Sequence, residues 1–292
     1  MYSFASRVRY SEVDESGTLS IAAMLNYLQD CSLFQSEGLG VGIAHAQQAR
    51  RRWLLAAWEV EIAELPRFTE EIVVSTWATG FESLYARRNF TIARPDGAGL
   101  VRADSRWFMF DDELARPIRP PAEEVEPYRG DLEGDAPLDM PPMHRRIRVE
   151  GEGEALAPLM VSAAHIDTNH HVNNAQYVAM ALGALPKGTG AHVCRLDVQY
   201  CTAARLGDVI IPVVHAIEGG SIVQLCAPAP VPEPDARAAG TSAPAPTATP
   251  SGAQAAGAPV SATAAPDTQS VVALASAEML PGAPYAIVRV QG

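Results

Sequence analysis

Residues 161–185 read VSAAHIDTNHHVNNAQYVAMALGAL, and residues 9–31 read RYSEVDESGTLSIAAMLNYLQDC. Both pass from a short strand-like run through a polar loop into an amphipathic helix. A shift of 153 residues sets Asp14 on Asp167, Ser16 on Asn169 and Thr18 on His171. Few residues are identical. What recurs is the layout, and a recurring layout is the mark of duplication. Only the second copy carries an imidazole at the last of the three positions. Ser20 is placed to cap the first helix, and Asn173 with Gln176 three residues on reads as a capping box for the second. Gly38 and Pro186 mark where the helices stop.

Strand signals follow each helix. After the first come 53–62, 71–78, 85–93 and 100–110, several of them alternating apolar with polar residues as half-buried strands do. After the second come 193–200, 208–216, 221–226, 270–275 and 285–290. One helix and an antiparallel meander, twice over, is an α+β plan in which each sheet buries a helix on one face. The stretch 129–142, rich in Asp, Gly and Pro, reads as a linker between an N-terminal domain (1–128) and a C-terminal domain (143–292). Residues 229–268 hold 14 Ala and 8 Pro with no aromatic, Leu, Ile or Met, too little apolar material to offset ordering entropy. A disordered insertion is expected there, replacing a turn inside the second sheet.

Composition bounds the setting. The chain has 292 residues, 48% of them hydrophobic, enough for two modest cores. The first residues lack the apolar centre of a signal peptide, and no apolar run approaches the roughly 18 residues of a membrane span, so a cytoplasmic setting is expected. Four scattered cysteines make no disulfide scaffold. A formal charge of −12 argues against nucleic-acid binding, which needs clustered Lys and Arg.

The chemistry concentrates at Asp167, Asn169 and His171. On an extended backbone the i, i+2, i+4 spacing projects all three side chains to one side. A carboxylate, an amide and an imidazole converging there can orient and deprotonate water, and the helix that follows offers backbone N–H groups toward developing negative charge. His171 is the general base in this reading, Asn169 holds the water or the reacting oxygen, and Asp167 fixes either the imidazole or Asn169. The spacing of His165, His170 and His171 fits no zinc pattern, so neither a metal nor another cofactor is expected.

With those residues in view, the chain resembles the bacterial acyl-ACP thioesterases, relatives of the plant plastid enzymes. The resemblance rests on residues 9–30, on the Trp- and Arg-bearing strands of the first half, on RPIRPP at 116–121 and on DTNHHVNN at 167–174. It implies a tandem hotdog fold, each long helix wrapped by an antiparallel sheet. It also implies hydrolysis of the thioester between a fatty acyl chain and the phosphopantetheine arm of acyl carrier protein, with Asp167, Asn169 and His171 at the matching catalytic positions. One position departs from the family pattern. A Glu commonly stands three residues after the Tyr of the next strand, and here Tyr200 is followed by Cys201, Thr202 and Ala203. Either Asp167 alone supports His171, or another acid such as Asp197 reaches it, or activity is reduced. Where a nucleophilic Cys has been discussed stands Ala204, and Cys201, the nearest thiol, reads as a small buried hydrophobe rather than a nucleophile.

The family places the acyl pocket mainly in the first half, which makes Met24, Leu25, Leu28 and Trp53 its candidate lining; ordinary core packing is the competing reading for each. The clusters Arg50-Arg51-Arg52 and Arg145-Arg146 stand out in an acidic chain and are candidate docking residues for the acidic carrier protein. A hotdog hydrolase of acyl-CoA and a non-catalytic acyl-binding module are the two alternatives, the second because of Ala203. A tandem chain completes internally the pairing that single hotdogs achieve by dimerising, and a further homodimer is left open.

Overall fold

The two copies share one 12-stranded sheet among the described residues, which are 1–230 and 279–292 of the computed structural model. The first copy contains β1 (Tyr2–Arg7), α1 (Ile21–Gly38), α2 (Ile43–Ala49), β2 (Arg51–Ile62), β3 (Glu71–Glu82), β4 (Tyr85–Ala93) and β5 (Gly99–Asp111). The short β6 (Arg116–Ile118) and the helical turns α3 (Ala122–Val125) and α4 (Arg129–Gly134) close it. The second contains β7 (Glu154–Ala155), β8 (Leu159–Met160), α5 (Asn174–Gly183), β9 (Arg195–Tyr200), β10 (Val209–Ile217), β11 (Gly220–Pro228) and β12 (Pro281–Gln291). The order β1-β3-β4-β5-β2-β9-β12-β11-β10-β7 is antiparallel throughout. The copies join where Ala57–Glu61 of β2 pairs with Gln199–Arg195 of β9.

Alternation along β2 sends Trp58, Val60 and Ile62 inward and Glu59 and Glu61 outward. The inward row packs on α1, whose Ile21, Met24, Leu25, Leu28 and Cys31 recur at helical spacing and are all buried. The α5 helix does the same for the second copy with Val178 and Ala181. A register shift between Leu55 and Ala57 bends β2, and β9 pairs no farther along it than Ala57. The first residues of β2 therefore lie free of β9, and the candidate site is built beside them.

Helix limits follow the caps. Ser20 Oγ accepts from Ala23 N at 3.3 Å, and α1 ends at Gly38. Asn173 Oδ1 accepts from Ala175 N at 2.9 Å, but the expected capping box with Gln176 does not form. The Gln176 backbone N–H goes instead to the Asn173 carbonyl, at 2.9 Å. A reciprocal box forms instead ahead of the polar loop, where Ser162 and His165 enclose a 3-10 turn.

Residues 129–142 are more than a spacer. Asp131 of α4 is buried and accepts from Ala78 N and Gln35 Nε2, both at 2.9 Å. The following segment then crosses the outer face of the sheet, pinned by side chains that point out from successive strands. Trp77 Nε1 donates to Ala136 O (3.1 Å), Asn89 Oδ1 accepts from Leu138 N (2.9 Å), Glu59 Oε1 from His144 N (2.6 Å) and Gln199 Oε1 from Ile147 N (3.0 Å). This strap covers carboxylates that an open sheet face would leave in water. The Ala/Pro-rich insertion expected at 229–268, apart from residues 229 and 230, and the strand expected at 270–275 lie outside the described residues. Among the described residues β11 pairs with β12 on one side and β10 on the other. No helix among the described residues is long and apolar enough to cross a membrane.

Candidate active site

Asp167, Asn169 and His171 sit on a tight turn, not on the extended segment their spacing suggests. Asp167 N donates to His171 O at 2.8 Å, and His170 N donates to Asp167 O at 3.1 Å. His170 takes the left-handed conformation at φ 60°. Asp167 Oδ1 accepts the backbone N–H of Asn169 (2.8 Å) and of His171 (3.3 Å). The carboxylate thus holds the backbone of the turn, and it is bonded to neither the imidazole nor the Asn169 amide. The turn is tied down on both sides. Asn173 N donates to His165 O at 2.8 Å, and Val172 N donates to Ala204 O at 2.9 Å.

Asn169 and His171 are left to act on something else. Asn169 Oδ1 accepts from Arg52 Nη1 at 3.2 Å, across from the free beginning of β2. Arg52 is itself anchored on Asp112 Oδ1 through Nε (3.1 Å) and Nη2 (2.5 Å). The His171 imidazole makes no hydrogen bond among the described residues. Burial, first, and then the positive charges of Arg205, Arg52 and His170 hold its pKa below the ordinary imidazole value, against the opposing pull of Asp167. These influences favour the neutral form of the His171 imidazole. Two of the first N–H groups of α5, those of Ala175 and Gln176, are already taken by Asn173, which narrows the oxyanion site the helix start offers.

The other sequence candidates scatter. Met24, Leu25 and Leu28 lie in the core under the sheet, at most 2% exposed, and Trp53 is half-buried against Phe81 with ring centroids 5.9 Å apart. A cavity of about 420 Å³ lies at the far end of β2, lined by Ile62, Leu100, Arg102, Cys194 and Arg195 among others, and touches none of them. Arg50 pairs with Glu113 at 3.2 Å and Arg51 with Glu123 at 3.1 Å, while Arg52 belongs to the site. Arg145 and Arg146 are exposed and make no ion pair among the described residues. Asp197 does not reach His171: it is buried and bridged to Arg195 (3.1 Å) and Arg289 (3.2 Å). Cys201 is exposed rather than buried, and desolvation still raises its pKa, which disfavours a thiolate. Ala204 is fully buried, its N–H donating to Tyr177 Oη at 2.8 Å. No three His, Cys, Asp or Glu side chains among the described residues converge as a metal-binding set. The contact of Arg52 with Asn169 is not legible in the sequence, because nothing in linear spacing ties residue 52 to residue 169.

Comparison with known proteins agrees with this architecture. Two family models match, the acyl-ACP thioesterase N-terminal domain over residues 1–128 and the acyl-ACP thioesterase C-terminal domain over 151–225. A chloroplastic acyl-(acyl-carrier-protein) hydrolase FATB3 of Cuphea viscosissima is 26% identical over 219 residues, 70% of this chain and 52% of the relative. The chain spans about half the length of the curated relatives it matches. An acyl-ACP thioesterase of Bacteroides thetaiotaomicron superposes with a TM-score of 0.73 at 19% identity, covering 99% of this chain and 96% of that one. The 12:0-ACP thioesterase of Umbellularia californica gives 0.71 at 15% identity, with 99% and 96% covered. The fold is the tandem hotdog shared by those structures, and the chain belongs to the acyl-ACP thioesterase family.

Proposed function

We propose that this chain hydrolyses fatty acyl-ACP in the cytoplasm, releasing a free fatty acid and the carrier's phosphopantetheine thiol. The observation that carries the reading is the His171 imidazole, without a hydrogen bond among the described residues, presented with Asn169 on a turn whose backbone is held by Asp167. His171 takes a proton from water as the water oxygen bonds to the thioester carbonyl carbon. Asn169 Nδ2 donates to the water or to the developing oxyanion. The C–S bond then breaks, and the imidazolium returns its proton to the leaving thiolate. A thioester carbonyl is electrophilic enough for activated water to suffice, so Ala203 and Ala204 do not forbid the reaction. In this reading residues 1–128 hold the acyl chain, with Met24, Leu25, Leu28 and Trp53 as its apolar wall, and 143–292 supply the catalytic turn.

Docking falls to Arg145 and Arg146, whose guanidinium groups are not spent on internal carboxylates as those of Arg50 and Arg51 are. Thiol release from acyl-ACP substrates of several chain lengths, with acyl-CoA alongside, tests the reading. Turnover of acyl-ACP that falls with ionic strength more steeply than turnover of acyl-CoA supports carrier docking. Equal salt responses favour the acyl-CoA alternative. Acyl binding without thiol release on any substrate establishes the non-catalytic module instead.

A further inference from the structure

Arg52 reaches the catalytic turn from the other copy of the duplication. A guanidinium only donates hydrogen bonds, whereas a carboxamide has one accepting and one donating end. The bond from Arg52 Nη1 to Asn169 Oδ1 therefore decides which end of the amide is left over. It leaves the donor, Nδ2–H2, which is what a water oxygen or a carbonyl oxygen requires. The guanidinium is held in turn by its two bonds to Asp112.

We propose that Arg52 is a positioning residue of the hydrolytic site: clamped on Asp112, it fixes the Asn169 amide with its N–H2 turned to the substrate. The inference rests on the hydrolase reading above. Arg52 also joins the charges around His171. Those are Arg205 from the loop after β9, His170 and Asp167 from the turn itself, and Arg52 from β2, of which only Asp167 favours the imidazolium. A docking arginine would do neither of these things. It would act on the carrier protein and leave the amide and the imidazole alone.

The test compares wild type with Arg52→Met, Arg52→Lys and Asp112→Asn, using acyl-ACP and acyl-CoA at low and high salt. His171 titration and the Asn169 side-chain amide are followed by NMR. Arg52→Met is expected to lower kcat about 10- to 100-fold on every thioester the wild type cleaves, the usual cost of misplacing a catalytic group. KM should change little, and the acid limb of the kcat profile should move to higher pH. Arg52→Lys should restore the acid limb but only part of kcat, since an ammonium keeps the charge and loses the fork. Asp112→Asn, which changes no volume, should weaken kcat in the same sense if Arg52→Met fails to fold. A KM increase confined to acyl-ACP and erased by salt would overturn the proposal and return Arg52 to docking. If wild type cleaves no thioester, the hydrolase reading fails by itself, and NMR then judges Arg52: an unchanged Asn169 amide and His171 pKa in Arg52→Met overturn the placement, while changes in both uphold it.

Discussion

The candidate catalytic turn at 165–173 has a near-copy at 12–20 that carries no imidazole. Asp14 Oδ1 accepts from Ser16 N (2.8 Å) and Thr18 N (3.2 Å), as Asp167 Oδ1 does from Asn169 N and His171 N. Asp14 N donates to Thr18 O at 2.8 Å, the distance of Asp167 N to His171 O. Gly17 at φ 76° stands where His170 stands at φ 60°. Ser20 N donates to Glu12 O at 2.9 Å, and Asn173 N to His165 O at 2.8 Å. The difference lies in two side chains. Ser16 Oγ donates to Asp14 Oδ1 (2.6 Å) and lies 3.0 Å from Thr18 Oγ1, so the first turn spends its polar groups on itself. In the second, Asn169 reaches out to Arg52 and the His171 imidazole makes no hydrogen bond among the described residues. The aspartate thus belongs to the scaffold of both turns, and the residues two and four positions after it are where the turns differ.

The largest expected effect separates those roles. His171→Ala should lower kcat by about 10²- to 10⁴-fold, the range general-base catalysis supplies, with thiol release as the measurement. Thr18→Ala, at the matching position of the first turn, should leave kcat unchanged. The pH profile sharpens this. Because the His171 pKa is depressed and the base must be neutral, activity should persist below pH 6.5 or so and fall only as pH drops through the lowered value. The neutral form is also the one the fold prefers, so His171 costs stability as pH falls below its unfolded pKa. An acid limb above pH 7 would contradict the charges placed around the imidazole.

The two aspartates come next. Asp14→Ala and Asp167→Ala each strip the acceptor from two backbone N–H groups, and each should cost about 1–3 kcal/mol by chemical denaturation. Only Asp167→Ala should also lower kcat, because it loosens the turn that presents Asn169 and His171. Equal kinetic effects from the two would show that the copies are coupled through packing rather than divided in function. The Asp14 pKa is lowered despite its partial burial, through the bonds from Ser16 and Thr18. Its contribution should therefore hold at neutral pH and vanish as pH falls through its folded value, which makes the Asp14→Ala penalty smallest in acid.

Much of this was legible from residue patterns. Strand 85–93 matches β4 residue for residue, and Ser20 and Asn173 cap the helices as their types suggest. The duplicated layout follows from one shift applied to Asp14, Ser16 and Thr18. Two things were not legible. The i, i+2, i+4 spacing suggests an extended segment because a strand is the simplest way to gather such side chains, whereas the backbone forms a tight turn. The signal against it was Gly17, since a glycine between the aspartate and the cap marks a left-handed residue, and His170 inherits that geometry without its signature. The clamp from Arg52 and the strap at 136–147 depend on pairing between distant segments, which no local pattern encodes. Neither the short α2 nor the α4 that buries Asp131 is periodic enough to announce itself.

The smallest effect tests whether His170 is chemistry or geometry. A non-glycine residue in the left-handed region costs about 1–2 kcal/mol, and a glycine there recovers this while losing more entropy on folding. His170→Gly should therefore stabilise the chain by less than about 1 kcal/mol. Gly17→Ala should destabilise it by about 1 kcal/mol through backbone strain alone, since an added Cβ would meet nothing within 4 Å. Neither change should alter kcat above pH 7. Removing His170 should lift the His171 pKa slightly, because His170 is one of the neighbours that lower it. A severalfold fall in kcat for His170→Gly, with stability raised as expected, would mean that this imidazole touches substrate, and the division between an aspartate scaffold and two acting side chains would have to admit a third.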